Sequence, residues 1–127
     1  MFLATAEANL ALDALVTAGG SWWVSLSTTI PDKWLESGIT EPAGQTRAQL
    51  QRDPAWWDPA ADRAVQAAND LPLTPPTADL GTAVAWVGYD SPAGGTPRIA
   101  GLLRDGNTVL AGAGLFIPKQ YLRIESF

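Results

Sequence analysis

The stretch Thr82–Leu103, TAVAWVGYDSPAGGTPRIAGLL, decides the fold. It holds two apolar runs, Thr82 to Tyr89 and Arg98 to Leu103, rich in aromatic and β-branched side chains. Pro92 and Gly94-Gly95 part them, so the order is strand, loop, strand. Two more short runs follow, Thr108 to Phe116 and Tyr121 to Phe127. Asp105-Gly106, between apolar runs, predicts a tight hairpin because both central residues of that turn take positive φ. The last third therefore reads as a β-meander. In its final strand Leu122 and Ile124 face one side, and Tyr121, Arg123 and Glu125 the other. Lys119, after Pro118, is expected to interrupt a strand edge and keep it from pairing at random.

Working back towards the start, Ser21 to Thr29 carries Trp22, Trp23, Val24 and Leu26 with partial alternation, a strand that Pro31-Asp32 stops. Before it, Leu3 to Val16 places Ala4, Ala8, Ala11, Leu12 and Leu15 at helical spacing, opposite a polar stripe of Thr5, Asn9, Asp13 and Thr17. Gly19-Gly20 ends this helix of about residues 3–17. The section of about 31–80 is an irregular insertion with Pro42, Pro54, Pro59, Pro72, Pro75 and Pro76. Within it Thr46 to Gln51 predicts a strand with Ala48 and Leu50 on one side. Pro59 to Ala68 predicts a short helix capped by Asp58. The whole is mainly β, with an N-terminal helix packed on an antiparallel β-sandwich or small barrel, in one domain over residues 1–127.

Composition narrows the chemistry. The 127 residues include no histidine and no cysteine, which removes imidazole acids and bases, thiolate nucleophiles, disulfides and the usual zinc ligands. Paired carboxylates remain, but glycoside hydrolysis needs them at a fixed separation in a cleft, which spacing alone does not supply. No catalytic residue, cofactor site or metal site is assigned, and a non-enzymatic protein is expected. Eight basic residues against thirteen acidic ones give a net charge of −5, which repels phosphate backbones, so nucleic acid is not expected as a partner. No run reaches about 18 apolar residues and the start lacks a positively charged signal region, so a soluble chain without a membrane partner is expected.

Six tryptophans stand out. Neighbours on a strand point to opposite faces, so one of Trp22 and Trp23 enters the core and the other needs a second covered surface. Trp23 and Trp86 are expected inside. Trp56 and Trp57 lie in a proline-bounded loop and are the leading interface anchors, with Trp22, Trp34, Arg52 and Arg63 as further interface candidates. Six arginines against two lysines favour protein contacts, where the planar guanidinium is enriched. Exposed Trp56 and Trp57 would also suit stacking on a host-surface sugar. Asp53, Asp58, Asp62 and Asp70 read as caps and solvated surface, and Asp90, Asp105 and Asn107 as turn residues rather than a calcium loop.

The order of elements resembles the short tail-fibre or minor tail proteins of long-tailed, actinobacterial-type bacteriophages. The resemblance runs through Ala8-Asn9-Leu10-Ala11-Leu12-Asp13-Ala14-Leu15, Trp23-Val24-Ser25-Leu26-Ser27-Thr28, an acidic link to Glu41, and Gln45-Thr46-Arg47-Ala48 in place of a Tyr-Ala-Arg-like strand. It continues in Val84-Ala85-Trp86-Val87-Gly88-Tyr89-Asp90. Gly112-Ala113-Gly114-Leu115-Phe116-Ile117 with Tyr121-Leu122-Arg123-Ile124 looks like the closing hairpin. Asp53 to Asn69 is longer than that pattern, and Ala43-Gly44-Gln45 replaces its first glycine. The resemblance implies a virion structural protein, assembled in the host cytoplasm, that contacts other virion proteins and copies of itself. A minor tail or fibre subunit, a capsid decoration protein and a sugar- or receptor-binding module at a fibre tip remain open.

Overall fold

A computed structural model describes residues 3–125, with the side chains of residues 104–107 outside that description. Helix α1 (Thr5–Val16) buries Ala8, Leu12 and Val16, an i, i+4, i+8 stripe; of the other expected apolar positions Leu15 is half-buried while Ala4 and Ala11 are exposed. Its polar side is not simply solvated. Asn9 Oδ1 accepts from the Arg63 amide at 2.9 Å and Asp13 Oδ1 from the Ala60 amide at 2.8 Å, so the stripe binds the middle of the chain. Gly19 and Gly20, at φ 87° and 73°, then turn the chain while exchanging backbone bonds with Arg52.

The principal sheet is antiparallel, in the order β2 (Ala48–Gln51), β1 (Ser21–Ser27), β5 (Gly81–Tyr89), β6 (Pro97–Val109). Two ribbons face it: β3 (Ala64–Gln66) with β8 (Arg123–Glu125), and β4 (Leu71–Leu73) with β7 (Leu115–Ile117). One apolar cluster joins the layers. Trp22, Leu50 and Trp86 come from the sheet, and Val65, Leu71 and Ile117 from the ribbons. The protein is thus mainly β, a helix on antiparallel sheets in a sandwich arrangement.

Several expectations need correction. Residues 59–68 form no helix; Ala61 pairs with Ala64, Trp57 with Ala67, and β3 begins at Ala64. Asp62 and Arg63 take φ of 50° and 65°, left-handed values that break a right-handed helix and aim Ala64 at β8. The last third is not a meander, because β7 and β8 leave the principal sheet to pair with β4 and β3. Consequently the segments 112–117 and 121–124 make no closing hairpin, and Lys119 starts a 3-10 turn, Lys119–Tyr121, between them. Asp105-Gly106 does not make a hairpin either. Residues on both sides of it pair with β5: Ala83 faces Asn107 but Ala85 faces Leu102, so two steps along β5 answer to five along β6. β5 offers a longer ladder than a local hairpin, and the extra residues are taken up as a bulge. Of the adjacent tryptophans it is Trp22, in register with Leu50, that enters the core, while Trp23 is half-buried on the other face opposite Tyr89.

Trp86 lies at the centre of the sheet and is fully buried. Its indole Nε1 donates to the Tyr121 carbonyl at 2.8 Å, which fixes the ring across the neighbouring strand. A methyl group on Gly101, the residue paired with Trp86, would sit 2.3 Å from that nitrogen. Gly101→Ala is expected to destabilise the protein by about 1–3 kcal/mol through overpacking against a ring that has nowhere to move. Urea denaturation checks this; an unchanged midpoint would mean the indole is free to shift.

Candidate functional site

The interface candidates separate sharply once placed. Trp22 and Trp57 meet edge to face, with ring centroids 6.2 Å apart at 86°, and are only 3% and 4% exposed. Trp57 Nε1 donates to the Gln51 carbonyl at 2.9 Å. The Arg52 guanidinium lies over the Trp22 ring at 4.3 Å and donates to the Leu15 carbonyl at 3.0 and 2.8 Å. That carbonyl is in the last turn of α1, where a cation complements the helix dipole. The three residues join the helix end to the sheet, so Trp22 and Trp57 offer no surface to a partner in the free subunit. A turn led by Asp53 folds them in: its carboxylate accepts from the Ala55 amide, and the Asp58 amide then reaches Gln66.

Trp56 is half-buried and packs against the same core. Without Trp57 beside it at the surface, the expected two-ring platform for a sugar does not exist. Arg63 takes a left-handed conformation and donates to the Leu3 carbonyl, tying down the start of the chain. Trp34 alone among the six is open, 70% exposed, with Lys33 Nζ 5.1 Å from its ring centre.

An apolar surface that sequence reasoning missed lies along β6, the outer strand of the principal sheet. Ile30, Val84, Leu102 and Tyr121 line a groove of about 730 Å³, with Gln120 and Arg123 among its polar residues. Ile30 and Leu102 are 62% and 58% exposed. Leu103 and Tyr121 also line an adjoining cavity of about 270 Å³, at whose mouth Phe116 stands exposed. Adjacent leucines on an outer strand cannot both face inward, so the Leu102-Leu103 pair was the available signal. The Arg123–Glu125 ion pair, 3.0 Å and solvent-exposed, flanks the groove.

A second cluster lies on the opposite face of β1. Arg47 stacks on Tyr89, its guanidinium carbon 3.6 Å from the ring centre, and pairs with Glu41 at 3.1 Å. It also donates to the carbonyls of Ser91 and Gly94 at 2.9 and 2.6 Å. The Ser25 hydroxyl donates to the same Glu41 carboxylate. Burial pushes the Tyr89 phenol above the ordinary tyrosine range, the Glu41 charge adds to this, and Arg47 opposes it. Two acids bind backbone amides at turns. Asp70 accepts from the Lys119 amide, and Asp90 from the Thr96 amide, the main cause holding its carboxyl below the usual range, with Arg98 adding to it. Among the described residues no group of acids is arranged to hold a metal ion.

Over residues 3–125 the chain matches the family described as podophage GP4 fiber I protein gp80. No curated protein matches it. The match supports the phage-fibre part of the resemblance and not its long-tailed, actinobacterial part, since the description is of a podophage protein.

Two outcomes follow from the placement of these side chains. Trp57→Ala should lower the stability of the isolated subunit by about 3–5 kcal/mol, the cost of emptying a large buried aromatic site; calorimetry showing a near-native melting point would return Trp57 to the surface. For Tyr89, a native phenol that resists ionisation contributes stability that is complete below the ordinary value of 10.0 and is lost as pH rises through the raised one. In a Tyr121→Phe variant the remaining tyrosine should titrate above 10.0 in the ultraviolet, and a midpoint at or below that value would mean an open phenol.

Proposed function

The chain belongs to the podophage GP4 fiber I protein gp80 family, and on that premise we propose that it is a fibre-type subunit that works by seating the β6 groove against another protein of the particle. As a member of a phage fibre family it is a structural component of the virion. The observation that carries the contact surface is the pair Ile30 and Leu102, large apolar side chains left mostly uncovered beside a groove of about 730 Å³. Isolated exposed leucines are ordinary, whereas two large apolar residues framing one concavity mark a place that another surface covers. The groove mixes apolar side chains with Gln66, Gln120 and Arg123, the combination of apolar area and hydrogen-bonding groups found in protein interfaces.

Capsid decoration would use the same groove on a different neighbour, and self-association would place it against a second subunit. The family match favours a fibre over a capsid position. A sugar-binding role at a fibre tip has lost its Trp56–Trp57 platform, which leaves protein contact as the reading supported by an open surface.

Leu102→Asp and Ile30→Asp should leave stability within about 0.5 kcal/mol, since both positions are exposed. When each variant complements a phage lacking the gene, its abundance in purified particles, measured by mass spectrometry, should fall at least about tenfold, the loss of about 1.4 kcal/mol of docking energy. Wild-type incorporation of both variants would remove the groove from the proposal. Absence of the wild-type protein from purified particles would remove the virion role itself.

A further inference from the structure

The connection from β1 to β2 is long, and its first part, residues 28–42, lies apart from the main apolar cluster. Connections of more than about 12–15 residues without secondary structure are uncommon in compact domains and are usually functional. Among the described residues, none from 28 to 42 belongs to the apolar core or packs on it as a partly buried hydrophobic residue. Nor does any of them make a backbone-to-backbone hydrogen bond to a residue outside the segment. Its internal bonds are well formed: Thr28 to Thr40, Asp32 to Ser37, and the Asp32 carboxylate to the amides of Glu36 and Ser37.

Side chains of four body residues make the polar links that hold this arm. Ser27 Oγ accepts from the Thr40 amide at 3.1 Å and donates to the Thr29 carbonyl at 2.7 Å. Gln45 Nε2 donates to the Pro42 carbonyl at 3.2 Å. Ser25 and Arg47 both bind the Glu41 carboxylate. Arg47 is itself anchored to the body through Ser91 and Gly94, so the charged clasp has a fixed half, Arg47, and a movable half, Glu41.

The arm crosses one face of the principal sheet. Ser25 and Ser27 are in register with Val87 and Ala85, so those four residues share the face that the arm's links reach. Ala85 and Val87 are 0% and 1% exposed yet lie outside the main apolar cluster, and Tyr89, under Arg47, completes the row. Within the Asp32–Ser37 turn of the arm Leu35 takes a left-handed φ of 57°, which its side chain disfavours.

From this we infer that residues 28–42 form a clasped arm that opens as a unit, without unfolding the core, and uncovers the Ala85–Val87–Tyr89 face of the sheet. Glu41 is the clasp. Segments with few apolar contacts and exposed hydrogen bonds are those that open at free energies far below global unfolding.

Amide hydrogen exchange of the wild-type protein at several urea concentrations, read by NMR, tests it directly. The Thr28 and Thr40 amides should exchange at least about 100-fold faster than the protected amides of β1 and β5, and with little dependence on urea. Exchange of Thr28 and Thr40 at the global rate, with the global urea slope, would overturn the inference without any variant being made. In Glu41→Gln the same two amides should speed up by about tenfold, the scale of one charge-assisted bond, while β1 and β5 stay unchanged. Parallel acceleration of β1 and β5, or no acceleration at all, would show that Glu41 is not the clasp.

Discussion

Strand β1 is covered on both faces, and that requirement organises the rest of the molecule. On one side Trp22, Val24 and Leu26 enter the apolar cluster; on the other Ser25 and Ser27 are 2% and 0% exposed. Burying hydroxyls on that second face requires partners for them, and Glu41, Thr29 and Thr40 supply these. Beyond β2 the strand has no neighbour on its outer edge at Leu26. The Gln45 side chain supplies one, accepting from the Leu26 amide at 2.8 Å and donating to its carbonyl at 3.0 Å. One amide side chain thereby continues a ladder that the backbone has left.

What could be read from sequence was whatever depends on near neighbours. The helical spacing of Ala8, Leu12 and Leu15, the alternation of Ala48 and Leu50, and the run from Thr82 to Tyr89 each declare their element because the burying face is written within a few residues. The misreadings are all non-local. Asp105-Gly106 carries a turn signal in any context, and only the presence of β5 along both flanks turns it into a bulge. Trp56-Trp57 looked unsupported because the residues that receive Trp57 are Trp22 and Gln51, across a turn and on another strand. The groove was missed for the same reason: Ile30, Val84, Leu102 and Tyr121 come from four separate stretches of chain.

The arginines illustrate how composition can mislead about function. Their excess over lysine pointed to contacts with partners, but Arg47, Arg52 and Arg63 each bind backbone carbonyls of the same chain. Five donors in a rigid plane suit a small domain that must tie loops to a sheet without a disulfide. Large apolar side chains, Ile30 and Leu102 among them, are also left uncovered at the surface. Ile30 belongs to both the arm and the groove, so whatever seats there also touches a segment that lies outside the main apolar cluster.

The pairing of β3 with β8 and of β4 with β7 has a consequence for biogenesis. Residues 64–66 and 71–73 acquire their ladders from residues 123–125 and 115–117, some fifty positions later. During synthesis the helix and the first strands emerge with half of their sandwich still inside the ribosome, and Val65 and Leu71 wait uncovered until the later segment arrives. Long-range closure of this kind is slow and exposes apolar surface while it lasts, so premature termination before residue 115 leaves a chain suited to aggregation rather than a smaller folded one.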